Sequence, residues 1–120
     1  MMRIYKKITI QDLDRGITLV KFKDDIIWFD LIIEKLSEEL FSLVKEQRKN
    51  KILLNWKNVK FYNTNGLPML IIFRRMVEEV GGKLVFCLVR REVLENLILI
   101  KPWKRFNIEK DLNAGVSVFD

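Results

Sequence analysis

Lys51-Ile52-Leu53-Leu54-Asn55-Trp56 and Lys83-Leu84-Val85-Phe86-Cys87-Leu88-Val89 are the two stretches on which the fold turns. Each is a short apolar run with little polar alternation, the pattern of a strand covered on both faces, as in a parallel sheet. Between them, residues 65 to 80 carry apolar side chains at helical spacing. Gly81-Gly82 closes that segment, because glycine accepts the left-handed backbone of a helix C-terminus. Strand, helix and strand in this order form the unit that joins parallel neighbours by a right-handed crossover.

Working outward, Ile8-Thr9-Ile10 and Ile17-Thr18-Leu19-Val20-Lys21-Phe22 are β-branched runs separated by the turn signal Asp14-Arg15-Gly16, which predicts a β-hairpin. From Asp30, a helix N-cap region, Ile33, Leu36, Leu40, Leu43 and Val44 recur at helical spacing with Glu34, Glu38, Glu39 and Lys45 between them. The spacing predicts an amphipathic helix ending between Gln47 and Asn50. A loop runs from Lys57 to about Asn63. Beyond the second apolar run come a helix over 91–98, a break at Pro102, a last strand over 103–108 and a short helix over 110–114. After the hairpin the order is β-α-β-α-β-α-β-α, an α/β fold on a mostly parallel sheet. With 120 residues and no Gly/Ser/Pro-rich linker or repeat, a single domain over 1–120 is expected.

Composition removes much chemistry. There is no histidine, which excludes a Ser-His-Asp triad, a Cys-His pair and histidine-ligated zinc. One cysteine, Cys87, excludes an intramolecular disulfide and multi-cysteine metal clusters. Cys87 lies mid-strand in an apolar run and reads as an inert buried thiol. No Asp/Glu spacing indicates a catalytic carboxylate pair, so no catalytic residue, metal or cofactor is expected. Asp24-Asp25 and Glu38-Glu39 read as solvated, and Trp28, Trp56 and the phenylalanines as core or core edge. The N-terminus has basic residues without a following apolar segment, unlike a signal peptide. The longest apolar stretch, 67–73, holds seven residues including Pro68, where a membrane helix needs about 20. A cytoplasmic protein is expected.

Charge is uneven. Residues 1–44 hold seven Lys/Arg against eight Asp/Glu, and residues 45–120 hold fifteen against eight. A basic half invites a nucleic-acid reading, with Lys101, Lys104 and Arg105 around Trp103 as the best candidate patch. One aromatic among three cations is a weak signature, and net charge alone speaks to non-specific association. Arg90-Arg91 is offset by Glu92 and Glu95. Arg74-Arg75 and Glu78-Glu79 stand four apart and can pair along a solvated helix face, or form a partner-binding rim.

The loop Phe61-Tyr62-Asn63-Thr64-Asn65-Gly66-Leu67-Pro68 leads from the central strand into the second helix. Ligand sites in open α/β sheets lie beyond the carboxyl ends of strands. Proline is tolerated only in the first turn, which places the cap at Thr64 or Asn65. Free amides at such a helix start favour an anion. Asn63, Thr64 and Asn65 are all cap-type residues, so local chemistry leaves simple capping and a functional loop both open. Hydroxyl residues are few (Thr9, Thr18, Ser37, Ser42, Thr64 and Ser117), and Thr64 alone falls on a loop at a helix start.

An apolar strand, this loop, an apolar helix, Gly-Gly and a second apolar strand together resemble the STAS domain of bacterial anti-sigma-factor antagonists. The family loop reads Asp-Ser-Ser-Gly-Leu-Gly, against Asn63-Thr64-Asn65-Gly66-Leu67-Pro68 here. The resemblance spans nearly the whole chain, is strongest from Lys51 to Val89, and rests on order and spacing more than on identity. It implies a non-enzymatic switch with no cofactor of its own, whose partner is an anti-sigma factor or a serine/threonine kinase of the switch type. By position Thr64 becomes the phosphoacceptor, with Asn63, Asn65, Gly66 and Leu67 as the partner-binding loop and helix start. Asn63 replaces the family's Asp, Asn65 its second Ser, and Pro68 a Gly. The alternatives are a STAS scaffold in a signalling or transport complex that is not phosphorylated, and a basic nucleic-acid-binding domain.

Overall fold

The computed structural model describes residues 4–98 and 106–120. The Trp103 patch, with Lys101, Lys104 and Arg105, lies outside the described residues, as does the start of the last strand.

The elements, in chain order, are β1 (Ile8–Asp12), β2 (Ile17–Phe22), β3 (Ile26–Ile27), α1 (Asp30–Lys45), β4 (Lys51–Asn55), β5 (Phe61–Tyr62), α2 (Leu67–Glu79), β6 (Lys83–Cys87), α3 (Arg91–Ile98), β7 (Asn107–Glu109) and α4 (Leu112–Ser117). The main sheet has the order β1-β2-β4-β6-β7. β1 is antiparallel to β2, and every other pair is parallel. The two apolar runs are central strands, as their composition requires. β3 and β5 form a separate two-residue parallel pair beyond the carboxyl ends of β2 and β4. Strands this short leave no periodic signal in the sequence.

Topology decides how the faces are covered. From β2 to β7 each parallel strand is added on the same side of its predecessor, and right-handed crossovers then put every connecting helix on one face. On that face Val20, Phe22, Ile52, Leu54, Leu84 and Phe86 pack with Leu36, Leu40 and Leu43 of α1, Leu70, Phe73 and Val77 of α2, and Val93 and Leu97 of α3. The opposite face, formed by Ile17, Leu19, Leu53, Val85 and Cys87, is covered among the described residues by Leu13, Leu88, α4 and the residues after it. α4 sits close: a Cβ on Gly115 would lie 2.7 Å from Leu53 Cδ1, so a larger residue there would make the Leu53 side chain shift.

Several local expectations change. The first helix ends at Lys45, because Arg48 turns left-handed (φ 55°) and the Gln47 and Lys49 amides return to the Ser42 and Leu43 carbonyls. Asp30 is the first helical residue and Phe29 the cap. Glu39 is buried, not solvated: its carboxylate accepts from the Lys6 and Lys7 amides and pins the chain ahead of β1 to α1. Arg74 pairs with Glu78 as the spacing predicts, but it also lies over the Phe106 ring at 5.9 Å and is largely covered. No helix among the described residues is long and apolar enough to cross a membrane.

Candidate functional site

The loop after β4 is built from inside outward. Trp56 is fully buried and packs against Phe22, Tyr62 and Phe86 with ring centroids 4.7–5.2 Å apart. β5 then pairs with β3, and the Tyr62 hydroxyl, also buried, donates to the Gly66 carbonyl at 2.7 Å. Burial pushes the Tyr62 hydroxyl far above the ordinary phenol range, so it stays a donor. A Cβ on Gly66 would lie 2.6 Å from that hydroxyl oxygen, so the family glycine at this position is held by packing.

Asn63 caps the helical segment, not Thr64 or Asn65. Its Oδ1 accepts from the Asn65 amide at 3.0 Å and its carbonyl accepts from Gly66 N at 2.8 Å. Asparagine reaches the amide two residues on, so the residue before the turn is the natural cap. Thr64–Gly66 forms one 3₁₀ turn that runs into α2, with the Leu67 amide donating to the Thr64 carbonyl. The amides of Asn65, Gly66 and Leu67 are therefore all engaged. The cluster of free amides expected for an anion beside Thr64 is filled by the chain itself.

The Asn63 side chain also donates, from Nδ2 to the Trp28 carbonyl at 3.0 Å. A carboxylate could cap Asn65 but could not make this second bond. Asparagine in place of the family's Asp thus ties the loop to the segment that enters α1.

Thr64 is exposed, and its hydroxyl has no hydrogen-bond partner among the described residues. Ser37, Ser42 and Ser117 instead donate to carbonyls of their own helices, and Thr18 is buried. Gly66 and Leu67 are buried, so they shape the loop from beneath, while Asn65 is exposed beside Thr64. A shallow cleft joins Thr64, Asn65, Pro68 and Ile71 to Asp30 of α1. Next to it Trp28, Phe29 and Leu31 are 50%, 64% and 60% exposed. Trp28 packs against Phe61 in a tilted pair with centroids 5.0 Å apart, which holds it on the surface. Trp28 and Phe29 are thus a rim and not core. Composition leaves core and core edge both open for them, and the β3–β5 pairing, which fixes the segment at the edge, decides. In the sequence Asp30 reads only as a helix start, and its place beside Thr64 comes from the fold.

Elsewhere the cysteine behaves as its setting requires. Burial, and secondarily the Asp111 carboxylate, push the Cys87 thiol up to about 11, so it is protonated at neutral pH. Among the described residues no cluster of three or more His, Cys, Asp or Glu is arranged to hold a metal ion.

The STAS-domain sequence model matches residues 13–114. The chain belongs to the STAS-domain family. Among solved structures, this STAS domain superposes on a STAS-domain anti-sigma-factor antagonist protein from Planctomyces limnophilus with a TM-score of 0.81, at 13% identity over 94% of this chain and 97% of that one. RsbS from Moorella thermoacetica, solved as a serine-to-glutamate variant, gives 0.73 at 14% identity over 94% of each chain. The Bacillus cell-fate determinant SpoIIAA in its phosphorylated form gives 0.70 at 9% identity over 94% of this chain and 99% of that one. At these identities the likeness is one of fold. No curated protein matches in sequence.

Proposed function

We propose that this STAS domain is an anti-sigma-factor antagonist or a related switch in signal transduction and transcription regulation. It binds an anti-sigma factor or serine/threonine kinase through Thr64, Asn65 and the neighbouring Trp28-Phe29-Leu31 rim, with Gly66 and Leu67 shaping that surface from below. Thr64 is the phosphoacceptor, ATP belongs to the partner, and the domain itself catalyses nothing. The observation that carries this reading is a solvent-facing Thr64 hydroxyl with no capping role, set beside exposed aromatic and aliphatic side chains that an isolated domain would bury.

The electrostatics give the switch its sign. A phosphate adds about −1.5 to −2 charge. Here it would share a cleft with Asp30 and no lining cation, and the Asn65, Gly66 and Leu67 amides are already engaged. The charge would remain uncompensated, and covering it with a partner would be strongly unfavourable. The unmodified protein is therefore the binding form.

The Asn63 amide bonded to Trp28 favours a second reading, a scaffold that binds without being modified, because the carboxylate found elsewhere in the family is absent. Affinities of wild type, Thr64→Ala and Thr64→Glu for the candidate partner separate the two. The switch requires binding by wild type and Thr64→Ala, and its loss in Thr64→Glu. Equal binding by all three leaves the scaffold. Transfer of phosphate from ATP by the partner kinase, absent in Thr64→Ala, tests the acceptor directly.

A further inference from the structure

β1 is an edge of the main sheet, and its backbone groups face two ways. The Lys23 amide donates to the Lys7 carbonyl at 2.9 Å, and the Leu13 amide to the Ile17 carbonyl at 2.7 Å. The hydrogen-bonded pairs with β2 therefore fall on Thr9 and Gln11, and the amides and carbonyls of Ile8, Ile10 and Asp12 point outward. None of these outward groups has a hydrogen-bond partner among the described residues. The register with β2 runs unbroken over the five residues of β1, with no bulge and no proline, so two common devices for blunting an edge are missing. The opposite edge, β7, has three residues.

The side chains of β1 alternate. Ile8 and Ile10, opposite Phe22 and Val20, point to the helix-covered face, and Thr9 and Gln11 to the thin one. Along the strand a cleft of about 430 Å³ opens between Tyr5, Ile8 and Ile10 on one side and Gln47 and Lys49, from the turn after α1, on the other. Charge is graded along the same edge: Lys6 and Lys7 precede the strand, and Asp12 and Asp14 close it. Lys7 pairs with Asp24, and Asp12 with Lys49. The side chains of Lys6 and Asp14 have no partner among the described residues, so each end of the edge keeps an uncompensated charge of its own sign.

A strand that starts basic and ends acidic is complementary to a reversed copy of itself. We propose that β1 pairs antiparallel with β1 of a second copy of this chain, joining the two sheets edge to edge about a two-fold axis at Thr9. Ile8 of each copy then faces Ile10 of the other on the helix-covered face, and the two exchange both amide–carbonyl bonds through the groups that are free in the single chain. On the thin face Thr9 meets Thr9, and Lys7 meets Gln11. Asp12 of one copy comes up to Lys6 of the other. Aliphatic, hydroxyl and opposite-charge pairs are each favourable across strands. An axis at Ile10 would set Asp12 against Ile8, and an axis at Gln11 would set it against Ile10, so the pattern selects one register. The two-fold contact closes on itself and stops at a dimer. It shares no lining residue with the Thr64 cleft.

The test is sedimentation equilibrium of the full chain over a concentration series reaching about 1 mM, where an interface smaller than the standard size still associates. The mass should rise from monomer to dimer and stop there. Ile10→Pro removes an outward amide twice per dimer while sparing the β1–β2 ladder, and should abolish association. Thr9→Lys, at an exposed position, sets like charges opposite each other on the axis and should weaken it about fivefold. Thr64→Glu and Lys35→Gln should change it less than twofold. Unfolding midpoints at low concentration identify any variant that fails to fold, and the Thr9 variants keep the test open if Ile10→Pro does. Cysteine scanning reads the register: under mild oxidation Thr9→Cys should form a disulfide dimer, since facing residues of a non-hydrogen-bonded pair lie within disulfide reach, and Gln11→Cys should not. A mass that stays monomeric throughout, which would leave this edge to a strand of another protein, overturns the proposal. So does growth beyond the dimer, association that survives in both Thr9→Lys and a folded Ile10→Pro, or crosslinking through Gln11→Cys in preference to Thr9→Cys.

Discussion

The two clefts near the carboxyl edge of the sheet, one lined by α1, α2 and the turn before α2 and the other by β1, β2, β4 and the turns after β4 and β6, have opposite chemistry. Beside Thr64 the lining holds one carboxylate, Asp30, and no cation, with an apolar rim outside. Behind the sheet, the lining from Thr9 to Arg90 holds four cations and no acid. The first lies where α1 and α2 begin and presents exposed apolar surface suited to a protein. The second lies where no crossover helix reaches and presents positive charge. The contrast is one of apolar against cationic surface, divided by sheet face because successive right-handed crossovers thicken one side and thin the other.

The comparison can be pressed hardest through stability. Phe86→Ala, on the thick face between Trp56 and Phe106, should cost about 3–5 kcal/mol in denaturant unfolding. Val116→Ala, in the half-buried cover of the thin face, should cost well under half of that. Equal losses would mean that the two faces are equally packed.

Next in size is an alkaline effect confined to the thin face. Cys87 titrates near 9 when unfolded and near 11 when folded. The unfolded chain therefore releases its proton first as pH rises. Stability from this group is complete below about pH 9 and declines by about 1.4 kcal/mol per unit until about pH 11. Comparing the pH dependence of unfolding in wild type and Cys87→Ala isolates it. In the folded protein at pH 8 the thiol should resist alkylation, and react once urea unfolds the chain.

The smaller effects lie in the Thr64 loop. Asn63→Ala should lose about 1–2 kcal/mol, since cap and tether both disappear. Asn63→Asp should keep the cap and lose the tether, giving an intermediate midpoint and a freer Trp28, visible as a change in its fluorescence. Thr64→Ala should change stability by less than about 0.5 kcal/mol, because its hydroxyl has no partner among the described residues. A larger loss for Thr64 than for Asn63 would return Thr64 to a capping role.

What was legible in the sequence follows from signal length. The runs at 52–54 and 84–87 announce their burial because both faces of each strand are apolar. The α1 periodicity is clear for the same reason, down to its polar positions, yet it marks Glu39 as solvated because the amides that cover it belong to Lys6 and Lys7, over thirty residues earlier. The loop at 61–68 is legible as a helix start, but not which residue caps it, since Asn63, Thr64 and Asn65 are all competent and only backbone geometry chooses. Trp28 and Phe29 read as core or core edge, and composition does not choose between them because hydrophobicity does not report exposure.

The sequence by itself determined the succession of elements, the antiparallel start, the two central strands, and Thr64 as the hydroxyl at a helix entrance. These are local properties, carried by periodicity, glycine and proline within a few residues. Only the tertiary structure decided the strand order, which sheet face stays thin, that Asn63 and not Thr64 satisfies the helix amides, and that Lys21, Lys23, Lys57 and Arg90 meet in one cleft. Those four cations are spread over nearly seventy positions. Their convergence depends on which strands become neighbours, and neighbour choice is set by the packing of the whole chain.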